Sequence, residues 1–281
     1  MIVKYIVETT EKIMIKEYLE NLLPSALLTS INKQNIKYIV NDQLVHNYYL
    51  LDNNDELQVI IPADTLNENI IPINKEFKIL YEDSYLLIID KIANLACIPT
   101  KKHYESSLAN YVAAYYRKKG IASGIHFVNR LDYATSGIVV LAKNSYVTTL
   151  MKDASLEKKY LLVTEDLVLN DGIIECGIEK DESSAIKRKV SNDFINSKTI
   201  FRVLKNTKNH SLIEALLVTG KTHQLRVHFS HFYSPILGDK LYGNSADNDL
   251  KLHSYYFAFT HPVTKKRITI SSYPKWYDDF C

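Results

Sequence analysis

Residues 129–143 read NRLDYATSGIVVLAK. The second half, GIVVLAK (137–143), is a short continuous apolar run, the pattern of a buried strand. The first half is a polar loop that carries an Arg and an Asp two residues apart, then Thr-Ser-Gly, into that strand. Asp132 is thereby placed among hydroxyls and the guanidinium of Arg130. A carboxylate kept ionised by a nearby cation can act as nucleophile or base. Taken alone, the stretch fits better a plain turn in which Asp132 caps backbone amides and Arg130 makes a surface ion pair.

Working outward, FKILYE (77–82) and YLLIID (85–90) read as apolar strands around a polar turn. SSLANYVAAYYRKKG (106–120) reads as a helix with Ser106 or Ser107 as cap and Gly120 as stop. Asn144 caps a helix through about Ala154. KKYLLVTE (158–165), GIIECGI (172–178), KTIFRVLK (198–205) and HSLIEALLV (210–218) are further strands. Leu225, Phe229 and Phe232 give residues 222–232 a helical spacing, with Thr222 as its cap. Many strands with few intervening helices predict an α+β fold, a mixed and mainly antiparallel sheet rather than a Rossmann fold. The chain has no GxGxxG or GxxxxGK[ST] loop to cradle a nucleotide phosphate.

Upstream lies a smaller unit. Residues 11–23 (EKIMIKEYLENLL) have helical spacing, and Pro24-Ser25 starts a second short helix ending near Asn35. IKYIV (36–40) and QLV (43–45) form a hairpin around Asn41-Asp42, and LQVII (57–61) is a third strand. Residues 62–76, with two prolines and many polar side chains, read as a linker. The expected organisation is a unit over 1–61, a linker over 62–76 and a larger domain over 77–281.

At 46% hydrophobic and 23% charged residues, the composition is that of a globular chain and excludes collagen-like and disordered classes. The formal charge of +2 conceals a split. Residues 1–75 hold six lysines, no arginine and ten acids, whereas the remainder carries a surplus of six bases. A polyanion-binding surface therefore belongs to the later part or to local patches. Only six of the 34 basic residues are arginines, so the fork geometry of each invites a role. Cys97, Cys176 and Cys281 form no CxxC or zinc pattern, and free thiols in a reducing cytoplasm are the expected state. The N-terminus lacks the apolar core of a signal peptide, and no run approaches a membrane span, so a cytoplasmic location with no membrane partner is expected.

A second polar stretch is TGKTHQLRVH (219–228). Arg226 sits inside the expected helix between Leu225 and Val227, where a charge requires a carboxylate partner or must snorkel to water. His223, His228 and His231 do not converge on a helix, since only His228 and His231 share a face, and no metal site is expected.

These stretches resemble one family. NRLDYATSG is similar to the HRLDxxTSG signature of RluA-type pseudouridine synthases, and TGKTHQLRVH to their TGRTHQIRVH segment. LYEDSYLLIIDKIANLACIPT (80–100), EKKYLLV (157–163), SPILGDKLYG (234–243) and LHSYYFAFTHPVT (252–264) follow the family pattern in order. Residues 12–61, most clearly YIVNDQLVHNYYLLDNNDELQVIIP (38–62), resemble more weakly an S4-type RNA-binding domain.

The resemblance implies an enzyme that isomerises uridine to pseudouridine in structured RNA, ribosomal RNA ahead of transfer RNA, without cofactor or metal. It implies Asp132 as the catalytic aspartate, Arg226 as the cation that keeps it ionised and Tyr160 as the ring against the target base. Arg130 would meet the displaced nucleotide, Leu225 would line the pocket, and Thr135 and Lys221 would complete the substrate contacts. Two departures stand out. Asn129 replaces a histidine, a change expected to be absorbed by loop structure, and Asn94 replaces a glycine in a left-handed turn that Asn tolerates. Competing readings are an RNA-binding protein without catalysis, against which the joint presence of Asp132, Tyr160 and Arg226 argues, and a hydrolase or metal enzyme, for which a nucleophile elbow is lacking.

Overall fold

A computed structural model describes residues 2–22, 36–61, 69–152, 154–244 and 249–281. The N-terminal part contains β1 (Ile2–Ile6), β2 (Ile13–Met14), α1 (Ile15–Leu22), β3 (Lys37–Val40), β4 (Gln43–Val45), β5 (Leu50–Leu51) and β6 (Glu56–Ile60). The four-stranded sheet runs β1-β6-β3-β4, and β2 pairs with β5. The β3–β4 hairpin turns at Asn41 and Asp42, both at positive φ, as a two-residue hairpin turn demands. β1 is an addition to the expected helix–helix–hairpin unit. The helix expected from residue 11 begins only at Ile15, because Ile13 and Met14 pair with Leu51 and Leu50. The second helix expected between Pro24 and Asn35 lies outside the described residues, as do residues 62–68 of the expected linker.

The larger part contains β7 (Lys78–Glu82), β8 (Leu86–Lys91), α2 (Leu108–Lys119), β9 (His126–Phe127), β10 (Ser136–Ala142), α3 (Ser145–Lys152) and β11 (Glu157–Val163). It continues with β12 (Gly172–Lys180), β13 (Arg188–Ser191), β14 (Ser197–Asn206), β15 (Ser211–Leu217), α4 (Gln224–Phe232), β16 (Leu252–Thr260) and β17 (Arg267–Ser271). One 11-stranded sheet runs β13-β12-β14-β15-β11-β16-β10-β8-β7, with β17 on β16 and β9 on β10. Its pairings are antiparallel except β10 with β16, which confirms a mixed, mainly antiparallel α+β fold.

The apolar run of β10 reflects burial on both faces. Val139 and Leu141 join Leu87 and Ile89 of β8 in a core covered by Val112 and Tyr116 of α2 and Val227 and Phe229 of α4. Ile138 and Val140 point the other way, into a core shared with Val147 and Met151 of α3 and with Ile15, Leu19, Leu57 and Val59 of the N-terminal part. The N-terminal unit thus packs on the back of the central sheet, where Tyr5 and Tyr146 also join their hydroxyls at 3.0 Å. Helix α2 is held by a capping box, Ser107 with Asn110, and ends at Gly120 as expected. The Asn110 amide also donates to the Ile71 carbonyl at 2.8 Å, which ties the irregular segment before β7 to that helix.

Candidate active site

The loop between β9 and β10 presents Asp132 at the front face of the sheet. Its shape is imposed by its neighbours. Asn129, in place of the histidine, uses its amide as a short piece of strand: Nδ2 donates to the Ile138 carbonyl at 3.1 Å and Oδ1 accepts from the Val140 N–H at 2.8 Å. Cys97 is within hydrogen-bond reach of both polar groups of the Leu131 backbone, at 3.3 and 3.4 Å. The Tyr133 carbonyl accepts from Leu95 N–H at 3.1 Å and from the Lys91 ammonium at 3.4 Å. That ammonium is buried and also donates to the Ile92 and Leu95 carbonyls, and burial pushes its pKa down to about 8. Asn94 adopts the left-handed conformation expected of it, φ 56°. The loop closes on Gly137, whose φ of 114° and contact with the Ser254 backbone leave no room for a Cβ. This glycine permits the parallel join of β10 to β16.

Arg226 approaches from α4. That helix begins at Gln224, and the residue before it is His223, left-handed at φ 57°, with no side-chain cap bond. Thr222, the expected cap, does not serve. The Gln224 amide takes over the terminus: its oxygen accepts from Lys221 N–H at 2.9 Å and Thr219 hydroxyl at 2.8 Å, and its nitrogen donates to β14.

The Arg226 guanidinium meets two carboxylates. Nε and Nη2 donate to Asp239 at 2.8 and 2.7 Å, a bidentate pair in which the Asp239 side chain is fully buried. Nη1 lies 3.5 Å from Oδ2 of Asp132, whose side chain is 28% exposed. Burial works against both charges of the inner pair, but the mutual bonds outweigh it. Arg226 is held above its ordinary pKa, and Asp239, which also accepts from Leu241 and Tyr242 N–H, is held below the usual carboxylate range. Asp239 is offered by a sharp turn at Gly238, φ 79°, where a Cβ would strike the Asp249 backbone. The sequence demanded a carboxylate for Arg226, and SPILGDKLYG contained it, but only the fold shows that the bidentate partner is Asp239.

Tyr242 completes this wall. Its ring lies under the Arg226 guanidinium at 5.2 Å, and its hydroxyl accepts from Arg188 N–H at 2.7 Å and meets His223 Nδ1 at 2.9 Å. Nε2 of His223 lies 3.7 Å from Asp132, and burial, with Arg226 and Arg188 nearby, lowers the imidazole pKa against the pull of Asp132.

All seven residues singled out in the sequence, Asp132, Tyr160, Arg226, Arg130, Leu225, Thr135 and Lys221, line one cavity of about 490 Å³. Asp132 is the single carboxylate among its lining residues, against the cations Arg130, Lys158, Lys221 and Arg226. Tyr160 forms part of the apolar wall with Leu225, and burial raises its phenol to about 12. The Thr135 hydroxyl is buried without a hydrogen-bond partner among the described residues. Lys158 was not singled out. It has no ion-pair partner among the described residues, and burial lowers its pKa. Its signal was the position two residues before Tyr160, one strand repeat away on the same face. Among the described residues no cluster of His, Cys, Asp and Glu is placed to hold a metal, and no helix is long and apolar enough to cross a membrane. His228 is buried beside Ser197 at 2.9 Å, and Cys97 and Cys176 are buried free thiols.

The family described as RNA pseudouridylate synthase matches residues 85–231. The chain is 30% identical over 262 residues to YjbO of Bacillus subtilis (strain 168), an uncharacterized RNA pseudouridine synthase, across 90% of this chain and 93% of the relative. It is 30% identical over 241 residues to ribosomal large subunit pseudouridine synthase D of Xanthomonas campestris pv. campestris, across 77% of this chain and 71% of the relative. Among solved structures, human RNA pseudouridylate synthase domain containing 1 shares the fold, with a TM-score of 0.60 at 20% identity over 73% of this chain and 86% of that one. The matched segment contains the Asp132 loop, the Tyr160 strand and the Arg226 helix, and the chain belongs to the RNA pseudouridylate synthase family as a pseudouridine synthase of RluA type.

Proposed function

We propose that this synthase acts on structured RNA, large-subunit ribosomal RNA in the first place, and that Asp132 carries the reaction without a cofactor. The observation that carries this reading is the solitary carboxylate of the cavity, set 3.5 Å from a guanidinium that is itself anchored from behind by Asp239. Arg226 cannot lose its proton in the protein, so Asp132 keeps a permanent cation beside it when RNA displaces water.

The isomerisation breaks the N1–C1′ bond and makes a C5–C1′ bond, with a proton leaving C5 and one arriving at N1, so no electrons are exchanged with a second reagent. Asp132 acts at the ribose or at uracil C6 to free the base. A uridine in a stem is out of reach until it leaves the stack, and Tyr160 and Leu225 offer the apolar wall that receives it. Thr135 offers an unused hydroxyl to the base or sugar. Arg130, Lys158 and Lys221 meet the phosphates around it. Residues 1–61 are read as an S4-like RNA-binding unit joined through 62–76 to a catalytic domain over 77–281. Lys37, exposed on the unit, is a candidate phosphate contact, and Lys33, a second, lies outside the described residues.

The preference for ribosomal RNA rests on the name of the Xanthomonas campestris relative. It is tested by incubating the full chain with transcripts of large-subunit ribosomal RNA and with unmodified transfer RNA, then mapping pseudouridine at nucleotide resolution. Site-specific product in the ribosomal transcript is expected. Product confined to transfer RNA would overturn the substrate assignment and leave the chemistry standing.

A further inference from the structure

Tyr133 follows the reactive aspartate directly and lines the same cavity, yet 44% of its surface is exposed. Its ring is stacked on His103, with centroids 4.7 Å apart and planes inclined by 23°. The main chain of both partners is held by hydrogen bonds. The Tyr133 carbonyl is bonded to Leu95 and Lys91, and His103 sits in a tight turn in which its N–H donates to the Thr100 carbonyl at 3.0 Å. The cations nearest in sequence, Lys101 and Lys102 in the same turn and Arg130 in the same loop, are exposed and have no carboxylate within 4 Å among the described residues. Tyr104, half exposed, continues the turn. A pre-stacked aromatic pair bordered by unpaired cations is the arrangement that holds unstacked nucleotides: the rings take the base face and the cations the backbone.

Extraction of a uridine from a stem also strips a stacking partner from the nucleotide beside it. We propose that Tyr133 and His103 form a shelf at the cavity mouth on which a nucleobase flanking the target uridine stacks. The inference rests on the functional reading above, since it places that neighbour beside a uridine held at Asp132. The shelf binds any base by its face, and because the two rings are already stacked less ordering cost falls on binding.

The test uses the full chain and a ribosomal RNA fragment that the wild type modifies. Affinity is measured at two salt concentrations for wild type, Tyr133→Ala, Tyr133→Phe and His103→Ala. Tyr133→Ala is expected to weaken binding about 5- to 150-fold, the range of one lost base–aromatic stack, by the same factor at both salt concentrations. Tyr133→Phe keeps the ring and should bind within about twofold of wild type. His103→Ala, on an exposed turn, should show a smaller loss with the same indifference to salt. Wild-type affinity in Tyr133→Ala, or an equal loss in Tyr133→Phe, would overturn the shelf. So would a loss that tracks a fall in melting temperature in both alanine variants. Failure of the wild type to form pseudouridine in any RNA would instead sink the functional reading on which the shelf rests.

Discussion

The two sides of the Arg226 guanidinium are built for different ends. On the inner side, Asp239 is fully buried, bidentate and further bonded by two backbone N–H groups. On the cavity side, Asp132 is partly exposed, 3.5 Å from the nearest guanidinium nitrogen and 3.7 Å from the imidazole of His223, whose pKa burial lowers. The inner pair fixes a charge; the outer carboxylate is left with an oxygen to use. Substitutions on the inner side should therefore appear as stability, and those on the cavity side as binding or turnover.

The largest stability effect is expected from Asp239→Asn. It leaves a buried guanidinium without its compensating charge, at a cost of about 3–5 kcal/mol in denaturant unfolding. A cost below about 1 kcal/mol would erase the distinction between the two sides. Next comes His228, which lies on the Arg226 helix itself and is fully buried. Burial lowers its pKa to about 4. The unfolded chain takes up this proton below about pH 6.5, whereas the folded chain resists until about pH 4, so stability falls with acidification across that window, by up to about 3 kcal/mol. His228→Gln should flatten the decline of melting temperature between those limits, though His253, similarly depressed by burial, will leave a residual slope. An unchanged slope would remove His228 from the account. The smallest effect belongs to the cavity side. Lys158→Ala should leave unfolding unchanged within about 0.5 kcal/mol. It should weaken RNA binding about tenfold and lower the salt slope by about one. Altered stability with unaltered RNA binding would place Lys158 with the structural residues.

Much of this was legible in the sequence, and the limits have physical causes. Doubly buried β10 and capped α2 were readable because local pattern and tertiary burial agree in GIVVLAK and SSLANYVAAYYRKKG. Asn129 was expected to be absorbed by loop structure, and its amide does this by pairing with β10. The start of α1 was misplaced because two residues are drawn into a pairing with Leu50 and Leu51, distant in sequence and invisible to helical spacing. Thr222 was misread as a cap because the Gln224 side chain, one residue inside the helix, performs that task. The seven candidate site residues were picked out through local motifs, and the fold gathers them in one cavity. Asp239 and Tyr242 were harder, because their significance lies in contacts with Arg226 and His223 made across 13 and 19 positions of sequence.

The central claim is the division of labour between Asp132 and Asp239, and tritium release from RNA containing 5-tritiated uridine tests it most directly. The account predicts that Asp132→Asn folds with wild-type stability, binds the RNA and releases no tritium above the blank. Release by Asp132→Asn at a rate near that of wild type would contradict it.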